Sequence, residues 1–192
     1  MSKKRQKKVN PRRIPMAKAM FDREQILEEA TKDDLYRAWL LTFNALMEQE
    51  RIEKTEAPTL TDAVNNYIKG STFQGSSRSG EIRRAEAIMG FSTPYDNLHP
   101  EQVKSEVQLS RFKKKVFQVA THTALCVICL GLASSGRFSD SDLRQIFFHV
   151  DLTLSEIEHG SNSYAELERN LDKYGLTIER ESDDYHHVSV TE

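Results

Sequence analysis

Seven successive apolar residues, from Ala124 to Leu130, end a longer pattern with helical spacing. Before the pattern widens, it carries one apolar stripe: Val103, Val107, Phe112, Val116 and Ala120. A helix that is apolar on every side must be buried among other helices. Pro100 suits a first helical turn and Gly136 suits a helix end, so we predict that this is the longest helix of the chain. Because it is apolar on every side, we predict that it forms the centre of a bundle.

Start and stop signals divide the rest of the chain into shorter helices. We therefore predict an all-α protein, a helical bundle of five to six helices with a disordered basic N-terminal arm. The other helices are predicted from Asp22 to about Arg51, from Thr59 to Ile68, from Glu81 to Met89, from the Ser139 cap to Gly160, and from the Ser163 capping box to Gly175.

Composition shifts along the chain predict its organisation. The predicted parts are a flexible basic arm (1–20), an N-terminal helical half (21–70), a linker with a short helix (71–98), a C-terminal helical half (99–178) and a frayed acidic tail (179–192). Leu176 and Ile178 are expected to fold back onto the core. Gly, Ser and Thr dominate residues 70–80, which favours a flexible connection over a phosphate-binding loop because no Gly-Lys-Ser/Thr ending follows.

The formal net charge of -2 conceals a strong asymmetry. Residues 1–20 carry eight cations and no acid, and the rest of the chain therefore has a balance of -10. Pro11 and Pro15 disfavour a helix, so we expect an extended arm that suits phosphate backbones. A solubilising tail, or a segment that meets the acidic body, is the alternative. The candidate nucleic-acid contacts of the arm are Lys3, Lys4, Arg5, Lys7, Lys8, Arg12 and Arg13.

Two further groups of cations lie outside the arm. Arg83 and Arg84 are adjacent, and Arg111, Lys114 and Lys115 lie close together on the long predicted helix. Arg111 and Lys115 are four residues apart and therefore share a face of that helix. These residues are candidates for a second phosphate-binding patch, with an ordinary solvated helix face as the alternative.

Cys126 and Cys129 lie on one helix face with His122 one turn earlier. A zinc site would need a fourth ligand such as His149 or His159, and a redox pair would need a helix N-terminus. Because both cysteines lie in the most apolar part of the chain, burial in the core is the favoured interpretation.

Other classes of function find little support in the sequence. No serine lies in a recognisable nucleophile motif, and His186 and His187 fall in the predicted tail, so we expect no enzyme and no cofactor. We expect no membrane segment, since no apolar run reaches about 20 residues. Two cysteines and no signal peptide favour a reducing cytoplasm.

The start of the chain, Met1-Ser-Lys-Lys-Arg-Gln-Lys-Lys-Val-Asn-Pro-Arg-Arg-Ile-Pro15, resembles that of small proteins from phages and mobile elements of gut Firmicutes. The stretch Ser139 to Ile178 resembles the rest of those proteins: two capped helices, the second with Ala-Glu-Leu, and then Tyr174-Gly-Leu-Thr-Ile. Some proteins of this kind resemble Cas9-inhibiting anti-CRISPR proteins. The resemblance implies a non-enzymatic inhibitor that binds Cas9 with its guide RNA and DNA.

We therefore predict an inhibitor that blocks DNA cleavage by a Cas9 nuclease complex. Its basic residues would bind nucleic acid, and its acidic helical body would bind basic protein surface. The alternative is a phage DNA-binding regulator that uses a helix-turn-helix pair and the basic arm. The two halves of the chain carry similar helix–turn–helix patterns; a duplicated unit would explain them, but chance matching of amphipathic helices is the simpler account. The wide apolar face near Ala124 fits either a bundle centre or a homodimer seam.

Overall fold

The computed structural model describes residues 16–70, 78–92, 105–180 and 186–190. These residues confirm the all-α class, with six α-helices, one short 3₁₀ turn (Lys54–Glu56) and one small antiparallel hairpin. The elements are α1 (Met16–Glu48), α2 (Ala57–Gly70), α3 (Arg78–Met89), α4 (Glu106–Ser134), α5 (Asp140–His159), α6 (Tyr164–Lys173), β1 (Leu176–Arg180) and β2 (His186–Val190).

The predicted central helix is confirmed by burial. Every residue from Ala124 to Leu132 except Val127 is buried, and this half of α4 packs in one core with α1, α2, α3 and α5. Trp39 and Phe43 of α1 stack in that core with ring centroids 4.9 Å apart. By length and composition alone, α4 is apolar enough to cross a bilayer. However, 61% of its most apolar stretch is buried inside the fold.

A glycine lets α2 approach α4 closely. A Cβ atom added at Gly131 would lie 2.9 Å from both methyl groups of Val64 and 3.0 Å from its Cα. Real Cβ atoms do not tolerate such distances, so Val64 packs directly against the α4 backbone at Gly131. The contact fixes the position of α2 on the buried half of α4.

Both ends of α5 are set by the residues that the sequence indicated. Ser139 and Asp142 form a full capping box, and Gly160 adopts the left-handed conformation at φ 76°. At α6, Ser163 accepts from the Glu166 amide at 3.3 Å, but its own amide donates to Asn162 at 2.7 Å. The full capping box predicted at Ser163 is therefore only half formed.

Two predicted helix starts are wrong. α1 begins at Met16, directly after Pro15, so the last residues of the predicted arm are helical, and residues 1–15 lie outside the described part. α4 begins at Glu106 because Ser105 caps it by accepting from the Gln108 amide at 3.3 Å. Pro100 lies outside the described residues, and α1, with 33 residues, is longer than α4, with 29.

The predicted frayed tail is wrong for residues 186–190. β2 pairs with β1 in antiparallel register, Leu176 opposite Val190 and Ile178 opposite Val188. Val188 is fully buried, and the side-chain amide of Asn65 donates to the His186 carbonyl at 2.8 Å. The hairpin thus joins the core through α2, and the predicted return of Leu176 to the core is confirmed.

Candidate nucleic-acid interface

The first half of α4 presents a cationic stripe. Arg111, Lys114 and Lys115 are exposed and form no ion pair within the described part of the chain. Lys113 lies on another side of the helix, and its ammonium binds the Glu29 carboxylate of α1 at 3.0 Å. The stripe is thus open to a ligand, whereas its neighbour is already neutralised.

A small apolar cluster holds the stripe in this orientation. Phe112 and Val116 of α4 pack on Ile26 and Ala30 of α1. At 100° per residue, Arg111, Lys114 and Lys115 then fall within an arc of about 100° on one flank of α4, whereas Lys113 lies on the opposite flank. We call the three residues the α4 stripe.

A cleft of about 800 Å³ opens beside the α4 stripe, between α4 and α5. Its volume lies in the range of small-molecule sites. The segments that line it come from α1, α4, α5, the start of α6 and the residues that follow α3. Two of the stripe lysines, Lys114 and Lys115, are among its lining residues, which also include Arg37, Phe91, Phe117, Gln118, His122, Asp151, Glu158 and Tyr164.

Arg37 forms part of the cleft wall. Its guanidinium lies 4.5 Å from the ring centroid of Phe117 and 5.8 Å from that of Tyr164. It also binds Asp33 at 3.4 Å within α1. Cation–π contacts of this kind hold a guanidinium rigidly against aromatic faces. The cleft therefore carries a fixed positive charge between two aromatic rings.

The inner end of the cleft is a buried imidazole. His122 is 2% exposed, and its Nε2 lies 3.0 Å from the Glu86 carboxylate of α3. The ring of Phe91 meets it edge-on at 5.7 Å. Burial lowers the pKa of His122, and the charges of Glu86 and Asp151 oppose that shift. Uptake of a proton here is therefore disfavoured by burial and favoured by the two carboxylates.

The wall opposite the lysines is acidic. Asp151 and Glu158 are exposed on α5, and the Gln118 side chain donates to Glu158 across the cleft. The cleft is consequently polarised, with cations at Lys114 and Lys115 and carboxylates on α5. A ligand that fits it needs an anionic group and a hydrogen-bond donor at different ends.

Cys126 and Cys129 lie in the core, as favoured from the sequence. Both are free thiols with no exposed surface. Burial raises the pKa of Cys126 to about 12 and also raises the pKa of Cys129. Cys126 does contact His122 at 3.6 Å, but no group of three potential metal ligands occurs among the described residues. Raised thiol pKa values make both residues poor nucleophiles.

The other predicted contacts lie apart from the α4 stripe or outside the described part. Arg83 and Arg84 are exposed on α3, where the charge of Arg84 acts on Tyr67 and Cys129. Arg84 therefore lies near Cys129, which is 14 residues beyond Lys115, or about 21 Å along α4. The structure therefore does not merge the two groups of cations into one patch. Lys3, Lys4, Arg5, Lys7, Lys8, Arg12 and Arg13 lie outside the described residues.

Sequence reasoning missed the cleft because five separate segments form it. It named Lys114 and Lys115 but not Arg37, Phe117 or Tyr164. One signal was available: Asp34 and Arg37 interrupt the apolar face of the first helix between buried alanines. Charged residues within such a face often mark a polar site.

Comparison of the chain with models of known protein families, with curated proteins and with solved structures finds no match.

Proposed function

We propose that this protein is a mobile-element inhibitor that binds a Cas9-type nuclease complex, with its guide RNA and DNA, and blocks cleavage without catalysis. The observation that carries the proposal is the α4 stripe beside an open cleft. Arg111, Lys114 and Lys115 are exposed cations on one side of a rigid helix. A nucleic acid binds such a surface because each phosphate that pairs with a Lys or Arg side chain releases counterions condensed on the nucleic acid.

The contrast with Lys113 supports this role for the α4 stripe. Lys113 has a carboxylate partner, Glu29, at 3.0 Å, so it has less to gain from a phosphate. The cations of residues 1–13 would extend the same electrostatic attraction along a nucleic acid.

The acidic side of the molecule supports binding to a basic protein. Residues 136–180, which include α5 and α6, carry nine acidic and five basic side chains. Asp151, Glu156 and Glu158 are exposed on α5. Asp151 and Glu158 share one face of α5, and such carboxylates complement the basic channel in which a guided nuclease holds its heteroduplex. In this proposal the protein contacts both components of the complex.

A binding role also fits the chemistry of the most reactive side-chain types. The thiol pKa values of Cys126 and Cys129 are raised by burial, so neither residue supplies a thiolate near neutral pH. The proposed mechanism is occupation of a surface that the nuclease or its nucleic acid needs.

The direct test is a DNA-cleavage assay with guide-loaded Cas9 and a molar excess of the protein. We expect cleavage to stop with the wild-type chain. Replacement of Arg111, Lys114 and Lys115 by Gln should weaken inhibition, while Lys113→Gln serves as the matched control on the same helix. Deletion of residues 1–13 should weaken nucleic-acid binding and leave helicity intact. Undiminished cleavage at high excess of wild-type protein would refute the proposal.

A mobility-shift assay over a salt series separates this function from DNA-binding regulation. Strong preference for one duplex sequence would identify a regulator of the helix-turn-helix kind. Sequence-independent binding that weakens steeply with salt, together with affinity for the guide-loaded nuclease, supports the inhibitor.

A further inference from the structure

The α4–α5 cleft has an anion-binding end and a donor-binding end. Lys114 and Lys115 of the α4 stripe lie at one end, and neither has an ion-pair partner among residues that the structure describes. One turn along α4, the Gln118 side chain binds the Glu158 carboxylate. At the other end, Asp151 lies close enough to His122 for its charge to act on the imidazole. A ligand with a phosphate and an amino group at opposite ends matches this polarity.

The wall between those ends suits a planar ring. Phe91 reaches the inner end, where its ring meets His122 at 5.7 Å between centroids. Phe117 and Tyr164 flank the Arg37 guanidinium on the same wall. Nucleobases stack on aromatic side chains and on guanidinium planes. Arg37 contacts both rings and is also bound by Asp33, so these side chains form a fixed wall.

We infer that this cleft binds one nucleotide, with the phosphate at Lys114 and Lys115 and the base directed towards His122 and Asp151. A cleft of about 800 Å³ is large enough for a ligand of that size. This inference rests on the proposed function, because the bound nucleotide would belong to the RNA or DNA that the inhibitor contacts. A nucleotide within a strand and a free nucleotide share this chemistry.

The carboxylate of Asp151 predicts which bases bind best. It accepts hydrogen bonds, so it favours a base with an exocyclic amino group over one with a carbonyl in that position. Adenine carries an amino group at C6 where hypoxanthine has a carbonyl, and N1 carries a hydrogen only in hypoxanthine, so adenine alone presents an exocyclic donor. AMP and IMP are therefore a matched pair of probes for the inner end of the cleft.

The test is calorimetric titration of the full chain with AMP and IMP, and with oligoadenylate and oligoinosinate of about eight nucleotides. We expect adenine to bind more tightly than hypoxanthine, and Asp151→Asn to remove the difference. Lys114→Gln combined with Lys115→Gln should weaken binding about tenfold. Lys113→Gln, the matched control, should leave affinity within about twofold because Lys113 already binds Glu29.

Each outcome decides the inference. Binding of AMP as tight as that of oligoadenylate identifies a free nucleotide as the ligand, and binding of oligoadenylate alone identifies a strand. Failure of every probe to bind, or equal effects of the lysine pair and Lys113→Gln, overturns the cleft as a nucleotide site. Circular dichroism of the variants checks that these exposed substitutions leave the helices intact.

The two proposals fail separately. Inhibition of the nuclease by wild-type protein that binds no nucleotide refutes the cleft inference alone. Nucleotide binding by a protein that never inhibits the nuclease refutes the proposed inhibitor function alone.

Discussion

The two halves of α4 differ in burial although they form one continuous helix. From Ala124 to Leu132 nearly every side chain is buried against four other helices. From Glu106 to Gln118 only Phe112 and Val116 are buried, and cations occupy much of the remaining surface. The helix thus anchors the fold at one end and carries the candidate interface at the other. The difference predicts that substitutions in the second half act on stability and those in the first half act on binding.

The largest effect is expected from a truncation in the buried half. Leu125→Ala removes a fully buried side chain and leaves a cavity, which should lower the free energy of unfolding by about 2–5 kcal/mol. Val107→Ala, at an exposed position of the first half, should change it by less than about 0.5 kcal/mol. Urea denaturation measures both, and equal effects would contradict the division of α4.

A smaller loss of stability is expected at the contact between α2 and α4. Gly131→Ala places a methyl group against Val64 at 2.9 Å, and overpacking of this kind should cost about 1–3 kcal/mol. Gly80→Ala is the matched control, because Gly80 lies within α3 with no atom near its missing Cβ. The control should stabilise the protein by about 0.5–1 kcal/mol, since alanine favours helix more than glycine does. Thermal unfolding of the two variants should therefore shift in opposite directions.

A pH-dependent effect on the free energy of unfolding is expected from Asp34 of α1, the helix that packs against the first half of α4. Burial raises the pKa of Asp34 to about 6, so between about pH 4 and pH 6 the folded protein binds more protons than the unfolded chain. This group makes the free energy of unfolding fall as pH rises through that window. Asp34→Asn should accordingly stabilise the protein by about 1 kcal/mol at pH 7, after allowance for solvent screening, and not below pH 4.

Denaturation curves at pH 3.5 and pH 7 check the pH-dependent effect. Asp62→Asn, at an exposed position of α2, is the control variant. A gain from Asp34→Asn that is the same at both pH values would contradict the assignment to ionisation of Asp34.

The smallest effect on stability is expected at the α4 stripe. Lys114→Gln and Lys115→Gln alter exposed side chains and should change the free energy of unfolding by less than about 0.5 kcal/mol. Their effect should appear instead in nucleic-acid binding, where each lost phosphate contact lowers the salt slope by about one. Binding measured across a salt series would contradict this role of the lysines if the slope stayed at its wild-type value.

Local signals predicted the helices better than they predicted the site. The Ser139 cap and Gly160 at the end of α5 are short-range features, and the structure confirms both. The apolar run from Ala124 to Leu130 is also a short-range feature, and it indicated a central helix. The start of α4 was misplaced because Pro100 and Ser105 are both acceptable near a first turn, and spacing alone does not choose between them.

Non-local contacts account for what the sequence did not predict. β2 exists because Val188 enters a core built by distant segments and Asn65 binds the His186 carbonyl, and neither contact leaves a pattern within residues 179–192. The cleft has the same origin, because Arg37 meets Phe117 and Tyr164 only after the helices pack. Lys114 and Lys115 were found because a cluster of like charges is visible in the sequence itself.

The hairpin also imposes an order on folding during synthesis. Val188 shares one core with Leu35, so residues more than 150 positions apart must meet before that core is complete. Contacts between such distant positions form late, because the intervening chain loses entropy when it closes. A nascent chain that has not yet been extended to β2 leaves part of its apolar core open to solvent, and during translation it would be a substrate for chaperones.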